Sequence, residues 1–129
     1  MLNSYKDLIV YQKGYSLSLK IYKVTIDYPH DERFGLISQM RRSAVSIPCN
    51  IAEGYSRKNI KEYLQFLYIA YGSCSELETL LSLSKDLGLL NSDKYTKLYG
   101  LQEEVSKLLN GLIKSLSKQK KGESDDTAF

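Results

Sequence analysis

The residues of this sequence that are best suited to chemistry are five basic side chains that lie close together along the chain. They are Arg41, Arg42, Arg57, Lys58 and Lys61. Residues 33–61 carry a net charge of +5, whereas the whole chain of 129 residues carries +3. Such residues can neutralise phosphates in a sequence-independent, salt-sensitive manner, so they are candidates for nucleic-acid binding. The structural alternative is that one arginine pairs with Glu53 or with a carboxylate of a neighbouring helix, while the others are solvated.

Catalytic residues are not predicted by this sequence. His30 is the single histidine, and it stands beside Pro29 in a loop with no serine or cysteine spaced to act as its partner. It also precedes every arginine in the chain, which reverses the Arg-then-His order of helical ribonucleases of the HEPN type. We therefore expect a solvated loop histidine and a protein that is not an enzyme.

Metal and cofactor sites are not predicted either. Cys49 and Cys74 belong to no CxxC pair, and no glutamate stands in the Glu-x-x-His spacing of di-iron bundles. The sequence contains neither GxxxxGK[ST] nor GxGxxG, the motifs of loops that cradle phosphates. The lone cysteines favour a reducing cytoplasm, and the longest uncharged run, residues 63–75, is too short to cross a membrane. We expect no cofactor and no membrane partner.

Four helices are expected to position the basic residues. Apolar residues recur at spacings of three and four, whereas no stretch alternates with the period of two that strands show. This spacing predicts helices over residues 5–28, 36–55, 59–88 and 93–117. Short links between them favour antiparallel neighbours, so the predicted fold class is all-α, an up-down-up-down four-helix bundle. Residues 118–129 lack an apolar period and are predicted to form a disordered tail outside a bundle domain of residues 1–117.

The second predicted helix contains Pro48, yet its apolar spacing keeps the same phase across the proline. This continuity predicts a helix kinked at Pro48, because a true break usually resets the phase. The proline leaves the carbonyl of Ala44 without its helical donor. Asn50 and Glu53 lie about one turn further on and are expected to bind displaced backbone or a nearby arginine. Gly54 is expected to serve backbone packing near the helix end.

The first predicted helix carries two apolar stripes, although a helix of an isolated bundle needs only one. One stripe consists of Val10, Leu17, Ile21, Val24 and Tyr28. The other consists of Leu8, Tyr11, Tyr15, Leu19, Tyr22 and Ile26. The chain also has 11 tyrosines, 3 phenylalanines and no tryptophan, and tyrosine suits half-buried positions in interfaces. The surplus stripe indicates burial against another chain or an unusually wide core.

Local signals mark the ends of the third predicted helix. Asn59 precedes Glu62 by three residues, which is the spacing of a helix cap, and Gly88 is a C-terminal stop signal. Small residues at positions 72–75 interrupt the bulky apolar run of this helix. Small side chains allow two helix backbones to approach each other closely.

Two long stretches resemble a known family. They are GLISQMRRSAVSIPCNIAEG at residues 35–54 and FLYIAYGSCSELETLL at residues 66–81. Both are similar to the four helix bundle proteins encoded in intervening sequences of bacterial 23S ribosomal RNA genes. The resemblance extends to the first predicted helix, where Tyr11 and Gly14 stand in place of the family's tryptophan and alanine. It covers nearly all of the chain except the tail.

The resemblance implies an assembly and a set of partners. The family includes the accessory variability determinant of diversity-generating retroelements, a homopentameric barrel of four-helix bundles that binds nucleic acid and a reverse transcriptase. For this chain, the resemblance implies a homo-oligomer, specifically a pentamer, with RNA or DNA and a reverse transcriptase as partners. It implies no catalysis. We therefore expect a nucleic-acid-binding accessory protein, with a protein-binding scaffold that has no nucleic-acid role as the alternative.

Overall fold

The computed structural model describes residues 4–127, with the side chains of residues 4–121. Its four α-helices are α1 (Ile9–Thr25), α2 (Ser38–Tyr55), α3 (Ile60–Asp86) and α4 (Ser92–Thr127). No strand occurs between residues 4 and 127. The most extensive contacts are those of α3 with α2 and with α4, and α1 packs against α2 and α4. The predicted all-α four-helix bundle is confirmed.

The core is built from one apolar stripe of each helix. Leu17 and Ile21 of α1 meet Ile47 and Ile51 of α2, and all four side chains are fully buried. The other helices contribute Leu67, Leu77, Leu81, Val105 and Leu109. Burial of these side chains removes apolar surface from water, which is the main force that holds the four helices together. None of the helices described between residues 4 and 127 has a stretch apolar and long enough to cross a bilayer.

The first helix begins later than the sequence predicts. A 3₁₀ turn occupies Tyr5–Asp7 and is closed by a capping box between Ser4 and Asp7. The backbone of Leu8 is then extended, with φ −71° and ψ 127°, so α1 starts at Ile9. The capping box satisfies the backbone donors locally and separates this turn from the long helix.

The predicted caps of α3 are confirmed. The side chain of Asn59 accepts a hydrogen bond of 2.8 Å from the backbone N–H of Glu62. At the other end Gly88 has a φ of +78°, and the N–H of Leu89 donates to the carbonyl of Ser84. Glycine adopts this left-handed conformation without a Cβ penalty, which is why a helix ends readily there.

The last helix continues past residue 117, where the sequence analysis ends the bundle. It runs to Thr127, and residues 128 and 129 lie outside the described part of the chain. Residues 118–121 are lysine and glutamine, which are good helix formers, so local propensity favours continuation. These four side chains are exposed, whereas Leu116 is the last buried residue of those described. The division of the chain at residue 117 stays a prediction.

Candidate functional site

Helix α2 runs without interruption through Pro48, which is buried against α1. The carbonyl of Ala44 lacks the helical N–H donor that Pro48 cannot supply. Ser18 of α1 replaces that donor, because its hydroxyl donates to the Ala44 carbonyl at 2.8 Å and also reaches the Gly14 carbonyl at 3.1 Å. A Cβ on Gly14 would lie 3.2 Å from Ile47, so glycine permits the close approach of the two helices. The predicted kink at Pro48 itself stays a prediction.

The other residues predicted around the proline have different partners. The Asn50 amide donates to the carbonyl and the hydroxyl of Ser46, so it binds backbone one turn earlier. Glu53 pairs with Arg57. Gly54 is buried where α2 meets α3, and a Cβ there would lie 2.9 Å from the Cβ of Phe66. Glycine at this position therefore permits the close approach of α2 and α3.

Arg41 is anchored on α1 rather than on a carboxylate. Its Nε donates to the hydroxyl of Thr25 at 2.9 Å, and its guanidinium lies 4.5 Å from the ring centroid of Tyr22. The Thr25 side chain is buried, and the Arg41 side chain is partly buried. These neutral contacts fix the side chain while leaving its charge without a carboxylate partner among the described residues.

Arg42 and Arg57 take part in the ion pairs that the structural alternative foresees. Arg42 meets Glu76 of α3 at 2.6 Å, and Arg57 meets Glu53 at 2.9 Å within one turn. The Arg57 guanidinium also stacks on the Phe66 ring. All four charged side chains are well exposed, and such pairs contribute about 0–1 kcal/mol each. A phosphate group could compete with either carboxylate, but the pairing reduces the local excess of positive charge.

The structure does not bring the five predicted basic residues into one patch. Arg41 and Arg42 lie near the start of α2, while Arg57, Lys58 and Lys61 surround its end and the start of α3. The two groups are separated by about 25 Å of helix. Lys58 and Lys61 are exposed, and no described carboxylate pairs with them. Three of the five therefore keep an uncompensated charge, and their role in nucleic-acid binding stays a prediction.

One of the two predicted stripes of α1 is exposed. The first stripe enters the core and consists of Val10, Leu17, Ile21, Val24 and Tyr28. Leu8 and Tyr11, which begin the second stripe, are partly buried against the core. The exposed fractions of its other members are 51% for Tyr15, 49% for Leu19, 44% for Tyr22 and 73% for Ile26. We call these four residues the α1 stripe. Their exposure excludes the alternative of an unusually wide core within one chain.

A group of lysines between α1 and α4 is not evident from the order of residues in the sequence. Lys20 and Lys23 of α1 lie along the same groove as Lys94 and Lys97 of α4. The charge of the chain taken in successive segments hides this group, because its members are distant in sequence and acidic residues nearby in sequence balance the segment totals. Counting the charges on each face of α1 and α4, rather than by segment of sequence, would have indicated these lysines.

Three buried or hydrogen-bonded groups resist ionisation. Burial, followed by the effect of nearby Tyr55, raises the pKa of Tyr63 to about 12. The hydrogen bond of 2.6 Å that Tyr99 donates to Glu78 raises the pKa of Tyr99 to about 12. Burial, followed by the Glu78 charge, raises the pKa of the Cys74 thiol to about 12. Each of these groups is neutral at physiological pH, which suits a packing role and not nucleophilic chemistry.

His30 lies in an exposed 3₁₀ turn, His30–Glu32, as the loop prediction anticipates. In the described part of the chain no three His, Cys, Asp or Glu side chains are grouped so that they could hold a metal ion. Cys49 is exposed and Cys74 is buried, and both are free thiols.

Comparison with known proteins places this geometry in a family. The profile of the family described as 23S rRNA-intervening sequence protein matches residues 6–111. A crystal structure of a protein of unknown function from the S23 ribosomal protein family of Bacteroides thetaiotaomicron is 26% identical in sequence. The similarity covers 82% of this chain and 99% of that one, with a TM-score of 0.75. No protein with a curated description matches the chain.

Proposed function

We propose that this chain, which belongs to the 23S rRNA-intervening sequence protein family, is a non-enzymatic homo-oligomeric helical bundle that binds nucleic acid as an accessory protein. The observation that carries the proposal is the α1 stripe, a row of apolar side chains on a helix that already buries another face in its own core. Five subunits, and a reverse transcriptase as a further partner, are proposed from the family resemblance alone.

Self-association through the α1 stripe would explain its composition. Two tyrosines and two aliphatic residues recur at three- and four-residue intervals along about three turns of α1. Tyr15 and Tyr22 offer apolar rings with polar tips, as interface residues commonly do. Exposed apolar surface that is continuous over several residues marks interaction sites more often than scattered single residues do.

Substitution within the α1 stripe tests this part of the proposal. Leu19→Glu with Ile26→Glu places two charges in the interface, so the mass in light scattering should fall to that of one chain while the far-ultraviolet circular dichroism stays helical. Ile9→Glu is the matched control, because Ile9 is 60% exposed on α1 but lies outside the stripe. An assembly that survives the double substitution, or that Ile9→Glu disrupts equally, would contradict the role of the stripe.

Nucleic-acid binding is supported by the three basic side chains that no described carboxylate neutralises, Arg41, Lys58 and Lys61. Oligomerisation would repeat them on every subunit, which raises the local density of positive charge. If three phosphates are neutralised per chain, affinity for single-stranded RNA should fall roughly twentyfold between 50 and 200 mM salt.

The test is fluorescence anisotropy with a labelled RNA of arbitrary sequence, measured at both salt concentrations. Lys58→Glu with Lys61→Glu should weaken RNA binding. Lys114→Glu with Lys118→Glu makes an equal charge change at exposed positions of α4 and should lower the affinity for RNA much less. Arg41 is left unchanged because it contacts the buried Thr25. Absence of binding at 50 mM salt would remove the nucleic-acid role and favour the alternative, a protein-binding scaffold.

A further inference from the structure

The groove between α1 and α4 has the composition of a docking site. These two helices contact each other less extensively than α3 contacts its neighbours, and the space between them has a volume of about 560 Å³. Its floor is aliphatic and consists of Val24, Leu98 and Leu101. The four lysines Lys20, Lys23, Lys94 and Lys97 stand around this floor, two on each helix. We call this feature the lysine groove.

The charge of the lysine groove is only partly compensated. Lys97 pairs with Asp93 at 3.3 Å, and both side chains are highly exposed, so this pair contributes little. Glu104, the acidic residue at the groove, pairs with Lys13 at 2.7 Å. Lys20, Lys23 and Lys94 pair with no carboxylate among the described residues. Like charges collected around an apolar floor favour a partner that is anionic at its flanks and apolar between them.

We propose that the lysine groove binds an acidic amphipathic helix of a partner protein. Such a helix would place its apolar residues on the aliphatic floor and carboxylates on both flanks against the lysines of α1 and α4. A small anion with one carboxylate would neutralise one lysine and leave the others facing each other. Nucleobases stack on aromatic rings, whereas the floor of this groove is aliphatic, so a nucleic acid would leave the floor unused.

The groove also has the length of a short docked helix. Its α4 wall runs from Lys94 to Glu104, which corresponds to about 15 Å, or three helical turns. Lys20 and Lys23 line the groove towards α4, while Tyr22 of the α1 stripe contacts Arg41 of α2. Lys23 borders the α1 stripe, because it follows Leu19 by four residues and precedes Ile26 by three. The proposal does not depend on nucleic-acid binding.

A designed peptide provides the probe. It is a fluorescein-labelled helix of about four turns, with leucines at i, i+3, i+4 and i+7 and glutamates on both flanks. Fluorescence anisotropy with the full chain should show saturable binding. Lys20→Glu with Lys94→Glu should weaken that binding at least about tenfold, because two attractive pairs become repulsive. Lys114→Glu with Lys118→Glu changes the net charge equally outside the groove and should have a much smaller effect.

Two further peptides make the test independent of the protein variants. Replacement of the leucines by serine should abolish binding through loss of the apolar contact, and replacement of the glutamates by lysine should abolish it through repulsion.

The proposal is overturned if the leucine–glutamate peptide does not bind saturably, if both protein variants weaken its binding equally, or if the serine peptide binds equally tightly. It is also overturned if a short RNA loses affinity on Lys20→Glu with Lys94→Glu while the peptide does not, because the groove would then serve nucleic acid.

Discussion

At the scale of single residues, the carbonyl that Pro48 leaves without a helical donor accepts a hydrogen bond from a side chain of another helix. The sequence indicates a carbonyl without a helical donor at Ala44 and a polar residue, Asn50, nearby. It does not indicate Ser18, whose hydroxyl satisfies that carbonyl from a helix earlier in the chain. The pairing depends on how α1 is registered against α2, and spacing within either helix alone does not determine this register.

Replacement of Ser18 by alanine should therefore destabilise the fold. The substitution leaves the buried Ala44 carbonyl without its donor, which costs about 1–3 kcal/mol in the free energy of unfolding measured with denaturant. In a Pro48→Ala background the new backbone N–H can donate to the same carbonyl, so the cost of Ser18→Ala should be much smaller. An equal cost in both backgrounds would show that the hydroxyl does not compensate for the proline.

The basic residues illustrate the same limit of sequence reasoning. The excess positive charge of residues 33–61 is visible in the sequence, and so is the possibility of a pair between an arginine and Glu53. The partner of Arg42, Glu76, lies on another helix, and only packing of α2 against α3 brings the two together. Likewise the lysine groove forms from α1 and α4, which are the most distant helices in sequence.

At the scale of helices, periodicity and local caps predict most of the fold. The four helices, the cap at Asn59 and the stop at Gly88 follow from short-range signals that operate within one or two turns. The start of α1 is harder to predict because a capping box at Ser4 closes a separate turn. The end of α4 is harder to predict because the helix continues to Thr127, well past Leu116, the last buried residue among the side chains described. Boundaries without a strong local signal are set by propensity and packing together.

Close contact between α2 and α3 depends on Gly54. Gly54→Ala should lower the free energy of unfolding by about 1–3 kcal/mol, since the added Cβ would lie 2.9 Å from Phe66 and 3.2 Å from the carbonyl of Tyr63. Gly111→Ala on α4 is the matched control, because no atom beyond its chain neighbours and the nearby backbone of its own helix lies within 4 Å of its added Cβ. Helix propensity alone should make that control more stable by up to about 1 kcal/mol. Thermal or denaturant unfolding of both variants distinguishes steric from propensity effects, and a stabilising Gly54→Ala would contradict the packing described.

At the scale of the whole molecule, two surface features that the single chain does not use differ in chemistry. The α1 stripe is apolar and suits a second copy of the chain, whereas the lysine groove is basic and suits an acidic partner. The sequence predicts the stripe, because a second apolar period is visible in one helix. It does not predict the groove, because two helices from opposite ends of the chain must first be placed side by side.

Self-association of the unmodified chain is the central claim, and sedimentation equilibrium measures it most directly. The chain has a mass of 14.7 kDa. Runs at several concentrations should converge on a single mass of five chains, with the Leu19→Glu and Ile26→Glu double variant at the mass of one chain. A concentration-independent mass of one chain for the unmodified protein would contradict the account, since the α1 stripe would then face water without a partner.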